Sequence, residues 1–402
     1  MLKATLQKYR QVPSLLWALL ATQFLMNASH FMAIPLLTVY MLKTLHFGPI
    51  QIGTVMTLNL VAAQALPLIT GLMTDRLGFR PLMVTGLVLR AVGMGGFVLW
   101  HDWVILSAMA LIMGAGVSLY SSGVYGLFGR QPKPLAARIF ILNNQMLNLG
   151  VVLGPLLANT ISSADIELPF LVSGSLFILL AIWVFALRDI DHWHGEPTAM
   201  ITSLKRVATD RRFLAFLAVS LPWWFLFTQL YVAFPVHMMR IAGEAWVPSI
   251  FLVNGIVGFL FMLGSMVLLD RIRSTTLLPY AYLAAAILYA GAAFTTAAWW
   301  FLVFVALYTM VETIMLPTLE TLTAELAADG SQSTFFGALS LAWAVAGAGG
   351  YYAGSWLSLE AAPGLTWGLF AVVGAVGIAL ASWFAATEYR RNAVPALLPF
   401  GR

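Results

Sequence analysis

The chain has 402 residues, of which 61% are apolar and 9% charged, with a formal net charge of +5 and no cysteine. Soluble domains average about 25% charged residues, so hydrocarbon rather than water must be the solvent for most of this surface. Disulfides and thiolate metal sites are excluded, and the basic residues are dispersed along the chain rather than clustered as a nucleic-acid surface would need.

Twelve apolar stretches approach or exceed the ~20 residues needed to cross a bilayer. They run 14–42, 49–73, 81–100, 103–128, 136–161, 168–187, 213–240, 246–269, 275–297, 298–324, 332–357 and 363–386. The first follows Lys3, Lys8 and Arg10 and is too long for a cleavable signal core. Within it Gln23, Asn27 and His30 fall at i, i+4 and i+7, a polar stripe on one helix face. His30 titrates near neutrality and could relay a proton; a satisfied structural histidine is the alternative.

Between the second and third stretches lies Gly71-Leu-Met-Thr-Asp75-Arg76-Leu-Gly78-Phe-Arg80-Pro81. Here Arg76 and Arg80 can pair with Asp75 and with helix-end carbonyls, and Gly78 suits a tight reversal. Arg90 sits about nine residues into the third stretch, where it could snorkel inward, pair with a polar neighbour or receive an anionic ligand. The fourth carries Ser118, Tyr120, Ser122 and Tyr125, and the fifth Asn143, Asn144 and Asn148. The fifth continues Gly150-Val-Val-Leu-Gly154-Pro155, with small residues four apart for close helix approach and a proline that bends the helix.

The longest polar segment, 188–212, contains His192 and His194 among acidic residues. It reads as a solvated linker, with a metal site the weaker alternative because no fixed ligand spacing is present. Beyond it the seventh stretch holds Trp223, Trp224, Phe227, Gln229 and Tyr231, and the eighth Asn254. Asp270-Arg271-Ile-Arg273 then echoes the first charged turn 195 residues later, and the same offset relates Phe140 to Phe335 and Gly154 to Gly349. Six stretches on each side of the linker with matched orientation make a parallel repeat. In the tenth stretch Tyr308 precedes Glu312, which lies roughly 21 Å from the outer end at 1.5 Å per residue, near the midplane. A carboxylate there would exchange protons at physiological pH, unless it is a neutral structural group; Glu320, further along, could hand protons inward or form a helix-end salt bridge. With both termini inside, 18 of the 21 Lys and Arg residues fall on the cytoplasmic side.

The first charged turn resembles the loop signature of the major facilitator superfamily, G-x-x-x-D-R-x-G-x-R, and fills every key position. The fifth-stretch run is similar to that family's antiporter motif, G-x-x-x-G-P-x-x-G-G, with Ala158 and Asn159 replacing the final pair. The resemblance covers the whole chain by topology and is nearest to bacterial twelve-span drug:proton antiporters. It implies that Gly71, Asp75, Arg76, Gly78 and Arg80, with Asp270 and Arg271, form a cytoplasmic gate. It also implies that Gly150, Gly154 and Pro155 mark export, and that spans one, four, seven and ten line the cavity. On that basis Gln23, Asn27, Tyr120, Tyr125, Trp224, Gln229, Tyr231 and Tyr308 are expected to line it, completed by Asn144, Asn148 and Asn254; for each, helix–helix bonding is the alternative. Many such antiporters carry an arginine in the fourth span and a carboxylate in the first or fifth. This chain has neither, which leaves Glu312, His30 and Glu320 as the candidates for proton coupling.

The expectation is an all-α membrane protein of two six-helix bundles, 1–187 and 213–402, joined by a cytoplasmic linker at 188–212. It would be a monomeric multi-pass protein of the bacterial inner membrane, with both termini cytoplasmic, exporting amphipathic small molecules against protons by alternating access. Export of one endogenous metabolite such as a siderophore, or lipid flipping, is the competing expectation within transport; a non-transporting receptor or scaffold is another class. No cofactor or metal is called for, and no P-loop, H-E-x-x-H or nucleophile elbow suggests an enzyme.

Overall fold

The computed structural model describes residues 12–67, 69–70, 73, 77–129, 131, 133–162, 165–187, 200–327 and 332–393, and among these it is helical with no strand. Among the described residues, nine helical stretches are long and apolar enough to cross a membrane. In lipid this is the expected outcome, because a helix satisfies its own backbone polar groups and an open sheet edge does not. The chain divides into two compact units, Met1–Thr198 with Val247–Gly255, and Ala199–Trp246 with Ile256–Arg402.

Unit 1 contains α1 (Ser14–Lys43), α2 (Pro49–Ala65), α3 (Phe79–Leu99), α4 (Trp103–Gly129), α5 (Lys133–Ser162) and α6 (Leu168–Ala186). Proline in the first turn opens α2 and α6. The Asp102 carboxylate caps α4 by accepting from the amides of Val104 and Ile105 at 2.9 and 3.1 Å. Gly78, at φ +86°, supplies the left-handed residue from which α3 starts. Helix α3 packs on α4 and α6, α1 on α5 and α6, and α2 on α4.

Unit 2 begins with α7 (Met200–Thr209), then α8 (Arg211–Phe227), a 3-10 turn (Thr228–Tyr231) and α9 (Ala233–Ala242). A second 3-10 turn (Glu244–Trp246) leads into α10 (Val247–Arg271), whose first nine residues belong to unit 1. It ends with α11 (Ser274–Ala292), α12 (Ala298–Leu326), α13 (Gln332–Glu360) and α14 (Pro363–Ala393). Here α11 packs on α12 and α14, and α8 on α13 and α14. The neighbour pattern of α1 and α3 in unit 1 is thus repeated by α8 and α11.

Three expectations change. The seventh stretch is not one helix, because α8 gives way to the 3-10 turn at Thr228 before α9 resumes. The linker is not plain solvated chain where it is described: it holds α7, and Arg211 and Arg212 already belong to the first turn of α8. Gly349 does not play the part of Gly154. A Cβ at Gly349 would meet nothing within 4 Å, whereas the α13 glycines pressed against the 3-10 turn are Gly350 and Gly354. The offset for this helix pair is therefore 200 rather than the 195 of the charged turns, since Gly150 and Gly154 correspond to Gly350 and Gly354.

Candidate functional site

In unit 1 the α1 stripe is spent largely on helix pairing. Gln23 is buried and its Nε2 donates to Asn143 Oδ1 at 2.7 Å, while Asn27 Nδ2 donates to the Leu147 carbonyl at 2.6 Å. Both bonds tie α1 to α5. They form because Gly150 and Gly154 bring the helices close: a Cβ at Gly150 would lie 2.8 Å from the Ala28 nitrogen, and one at Gly154 2.7 Å from the Ala28 oxygen. For Gln23 and Asn27 the helix-bonding alternative accounts for the amide groups that are seen bonded. Ser118 and Ser122 are likewise engaged by Thr70 Oγ1, at 2.9 and 2.6 Å.

The third member of the stripe meets the least expected group of the unit. Arg90 on α3 is 2% exposed, and its guanidinium lies 4.5 Å over the Phe177 ring of α6. One amino group donates to Met26 Sδ at 3.0 Å, and the other lies 3.1 Å from His30 Nδ1. A guanidinium has no acceptor atom, so Nδ1 accepts and the ring proton sits on Nε2. Taking a proton at Nδ1 would break this bond and set two cations against each other, so in this arrangement the structural alternative for His30 accounts for the contact. It also answers the question left open for Arg90: the side chain is sealed by α1, α4 and α6 rather than offered to an anionic ligand. Tyr120 on α4 is fully buried near this group, with no hydrogen-bond partner for its hydroxyl among the described residues. Tyr125 and Asn144 are exposed, Tyr125 stacking on Phe140 at 6.3 Å, and Asn148 is half-buried. Asn254 is buried on the first part of α10.

Unit 2 carries an aromatic wall around the broken helix. Trp224 stacks on Trp343 of α13 at 4.8 Å, and Trp223 on Tyr308 of α12 at 6.1 Å. Tyr308 meets Phe234 and Tyr289 edge-on at 5.0 and 6.1 Å, and Phe234 lies tilted against Tyr289 at 6.1 Å. The indole nitrogens of Trp223, Trp224 and Trp343 are buried without a hydrogen-bond partner among the described residues. Glu312 is half-buried one turn beyond Tyr308, near enough to act electrostatically on Tyr231, Tyr289 and Tyr308. Glu320 stands on an exposed face of α12.

The break itself is held by Pro222, Tyr282 and Tyr289, which sequence reading did not single out, and by Gln229, which it expected in the cavity lining. Pro222 interrupts α8, and Tyr282 from α11 enters the ladder beside it, donating to the Val219 carbonyl and accepting from the Trp223 amide at 3.1 Å. Two turns along α11, Tyr289 donates to the Leu226 carbonyl at 2.8 Å. Gln229, in the 3-10 turn, donates to the carbonyls of Phe225 and Gly350 at 2.8 and 3.1 Å. Gln229 therefore ties the turn to α13. Two tyrosines seven apart on α11, beside a proline-bearing helix, were the available signal.

Of the expected gate, Gly71, Asp75 and Arg76 lie outside the described residues, as do the side chains of Asp270 and Arg271. Arg80 donates to the Leu187 carbonyl at 2.6 Å, joining the start of α3 to the end of α6. His192 and His194 also lie outside the description, and among the described residues no cluster suited to a metal ion occurs.

Residues 19–351 match the Major Facilitator Superfamily. The chain belongs to that superfamily. Similar proteins include the multidrug resistance protein MdtH of Cronobacter sakazakii, 26% identical over 380 residues that make up 92% of this chain and 94% of that protein. MdtH of Yersinia enterocolitica is 25% identical over 374 residues, 91% and 93% of the two chains. Among solved structures, the POT family transporter PepTSo superposes with a TM-score of 0.80 at 12% identity, covering 94% and 99%. The nucleoside transporter NupG gives 0.73 at 14%, covering 93% and 99%. At these identities the structures establish the fold alone. Superfamily membership and the apolar helices together make the chain a multi-pass membrane transporter.

Proposed function

We propose that this transporter is a proton-coupled exporter of amphipathic small molecules, working by alternating access between two six-helix repeats. The α1/α3 neighbour pattern recurs for α8/α11, which supports the repeat. The distribution of Lys and Arg supports cytoplasmic termini in a bacterial inner membrane. Relatives named as multidrug resistance proteins support export of drug-like compounds. Many of the residues expected to line the cavity carry apolar or aromatic surface suited to such compounds.

The observation that carries the coupling assignment is Glu312. It is a carboxylate deep in α12, half-buried among Tyr231, Tyr289 and Tyr308, so both of its protonation states can be solvated in part. Protonation and substrate binding would then favour opposite-facing states. The test uses inside-out membrane vesicles with an acidified lumen and a fluorescent amphipathic cation. The wild-type protein is expected to accumulate the dye and to lose it on addition of a protonophore, and Glu312→Gln to show no gradient-driven accumulation. Undiminished accumulation by Glu312→Gln would remove Glu312 from the coupling step.

A further inference from the structure

The carbonyl at the end of α8 is claimed by a tyrosine from another helix. In a continuous α-helix the Leu226 carbonyl would accept from the amide of Leu230, four residues on. Leu230 instead lies in the 3-10 turn, whose amides reach back three residues, and the Leu226 carbonyl accepts from the Tyr289 hydroxyl at 2.8 Å. Tyr289 has one proton, committed to that carbonyl, so towards any further partner its oxygen can only accept. That partner is Tyr308 of α12: the two buried rings meet edge-on at 6.1 Å and their hydroxyls interact. Tyr308 is therefore the donor of the pair, and it too has a single proton to give.

Glu312 stands one turn on from Tyr308, on the same face of α12. The titratable groups around it are Tyr308 on its own helix, Tyr289 on α11 and Tyr231 on the 3-10 turn, with Tyr351 of α13 beyond Tyr231. An ionised carboxylate only accepts, and its charge-assisted bond is the stronger one, so it competes with Tyr289 for the Tyr308 proton. A protonated carboxyl donates instead and leaves that proton to Tyr289. We propose that Tyr308 and Tyr289 are positioning residues that pass the protonation state of Glu312 to the Leu226 carbonyl, and so decide whether the seventh span is broken or continuous. The relay rests on the proposed role of Glu312 as the proton-binding group. With Glu312 protonated, hydrogen bonds run from Tyr308 to Tyr289 to Leu226, each polarising the next, and the 3-10 turn is held. With Glu312 ionised, Tyr289 loses its donor, its own bond weakens, and the Leu230 amide can reclaim the carbonyl. Tyr282 separates this role from packing: it grips α8 at Val219 and Trp223 in the same manner, but roughly 10 Å along α11 from Tyr289.

The test is amide hydrogen exchange of the intact protein in detergent, read by mass spectrometry on peptides covering 227–232, in mildly acidic and mildly alkaline buffer. Rates are corrected for the intrinsic effect of pH on exchange. The wild-type segment is expected to exchange about threefold more slowly in the alkaline buffer, as the ladder closes, which is the scale of a roughly 10–30% change in one hydrogen bond at an apolar site. Glu312→Gln should hold the acidic rate in both buffers. Tyr308→Phe and Tyr289→Phe keep the ring packing and should each remove the pH dependence, whereas Tyr282→Phe should retain it. A wild-type segment without pH dependence, a response that survives Glu312→Gln, or a wild-type response in both Tyr308→Phe and Tyr289→Phe would overturn the relay. The vesicle assay judges the coupling reading separately. If Glu312→Gln still accumulates dye there while the exchange response is lost in Tyr308→Phe, the relay stands and the coupling reading falls.

Discussion

Two adjacent glycines on α13 give a sharp test of how the helices are joined in unit 2. At Gly350 a Cβ would lie 2.2 Å from Thr228 Oγ1, 2.8 Å from the Phe225 carbonyl oxygen and 3.2 Å from Phe225 Cα. Rotating Thr228 would relieve only the first contact, and would sacrifice its 2.8 Å bond to Phe225 O. The backbone contacts remain, so the α8 end and α13 must separate. At Gly349 the same Cβ meets nothing within 4 Å. Both substitutions to Ala gain the same helix propensity, ~1 kcal/mol, so the difference between them isolates the overpacking cost of ~1–3 kcal/mol. Gly350→Ala should therefore unfold more readily than wild type or Gly349→Ala, and Gly349→Ala should equal or exceed wild type. Denaturant-induced unfolding in mixed micelles, followed by tryptophan fluorescence, measures both. If Gly350→Ala proves as stable as Gly349→Ala, the close contact between α13 and the broken helix is wrong.

Other outcomes follow from the same packing. Tyr282→Phe leaves the Val219 carbonyl and the Trp223 amide buried beside Pro222 without their shared partner, a loss of ~1–3 kcal/mol in the same unfolding assay. His30→Phe deprives the buried Arg90 guanidinium of an acceptor and should be clearly destabilising, whereas His30→Phe combined with Arg90→Met should recover most of the loss. A double-mutant cycle on Gln23 and Asn143 should return ~0.6 kcal/mol of coupling, the usual scale for a bond between membrane helices, and a value near zero would return Gln23 to the list of ligand-facing groups.

What sequence made legible was set by periodicity and composition. Apolar length is a one-dimensional signal, and it found the helices among the described residues. The register of the repeat was harder, because loops can gain residues without moving helices: the turn at Asp75 recurs at 195 residues, while the Gly150/Gly154 pair recurs at 200. The prolines alone do not reveal the break in the seventh stretch, because Pro222 and Pro235 each permit a kinked but continuous helix. It takes Tyr282, Tyr289 and Gln229, arriving from elsewhere in the chain or reaching across to α13, to hold the turn open.

Burial and bonding separate the polar residues that sequence had to treat alike. Gln23, Asn27 and Gln229 each donate to a partner on a neighbouring helix, and releasing them to bind a ligand would cost the bonds that hold α1 to α5 and the 3-10 turn to α13. Arg90 is as deep in its span as Glu312 in its own, yet the two differ in what they can do. The guanidinium is permanently charged and enclosed by a thioether, an imidazole nitrogen and an aromatic face, so nothing around it changes state unless His30 is forced away. Glu312 is half-buried beside tyrosines on a helix adjoining the broken one, and a proton gained or lost there, as proposed, would change the local charge. A charge that can change beside a helix that already lacks a continuous ladder is a better seat for coupling than a fixed charge in a closed pocket. Under the proposed proton coupling, that favours Glu312 of unit 2 over Arg90, which belongs to the framework of unit 1.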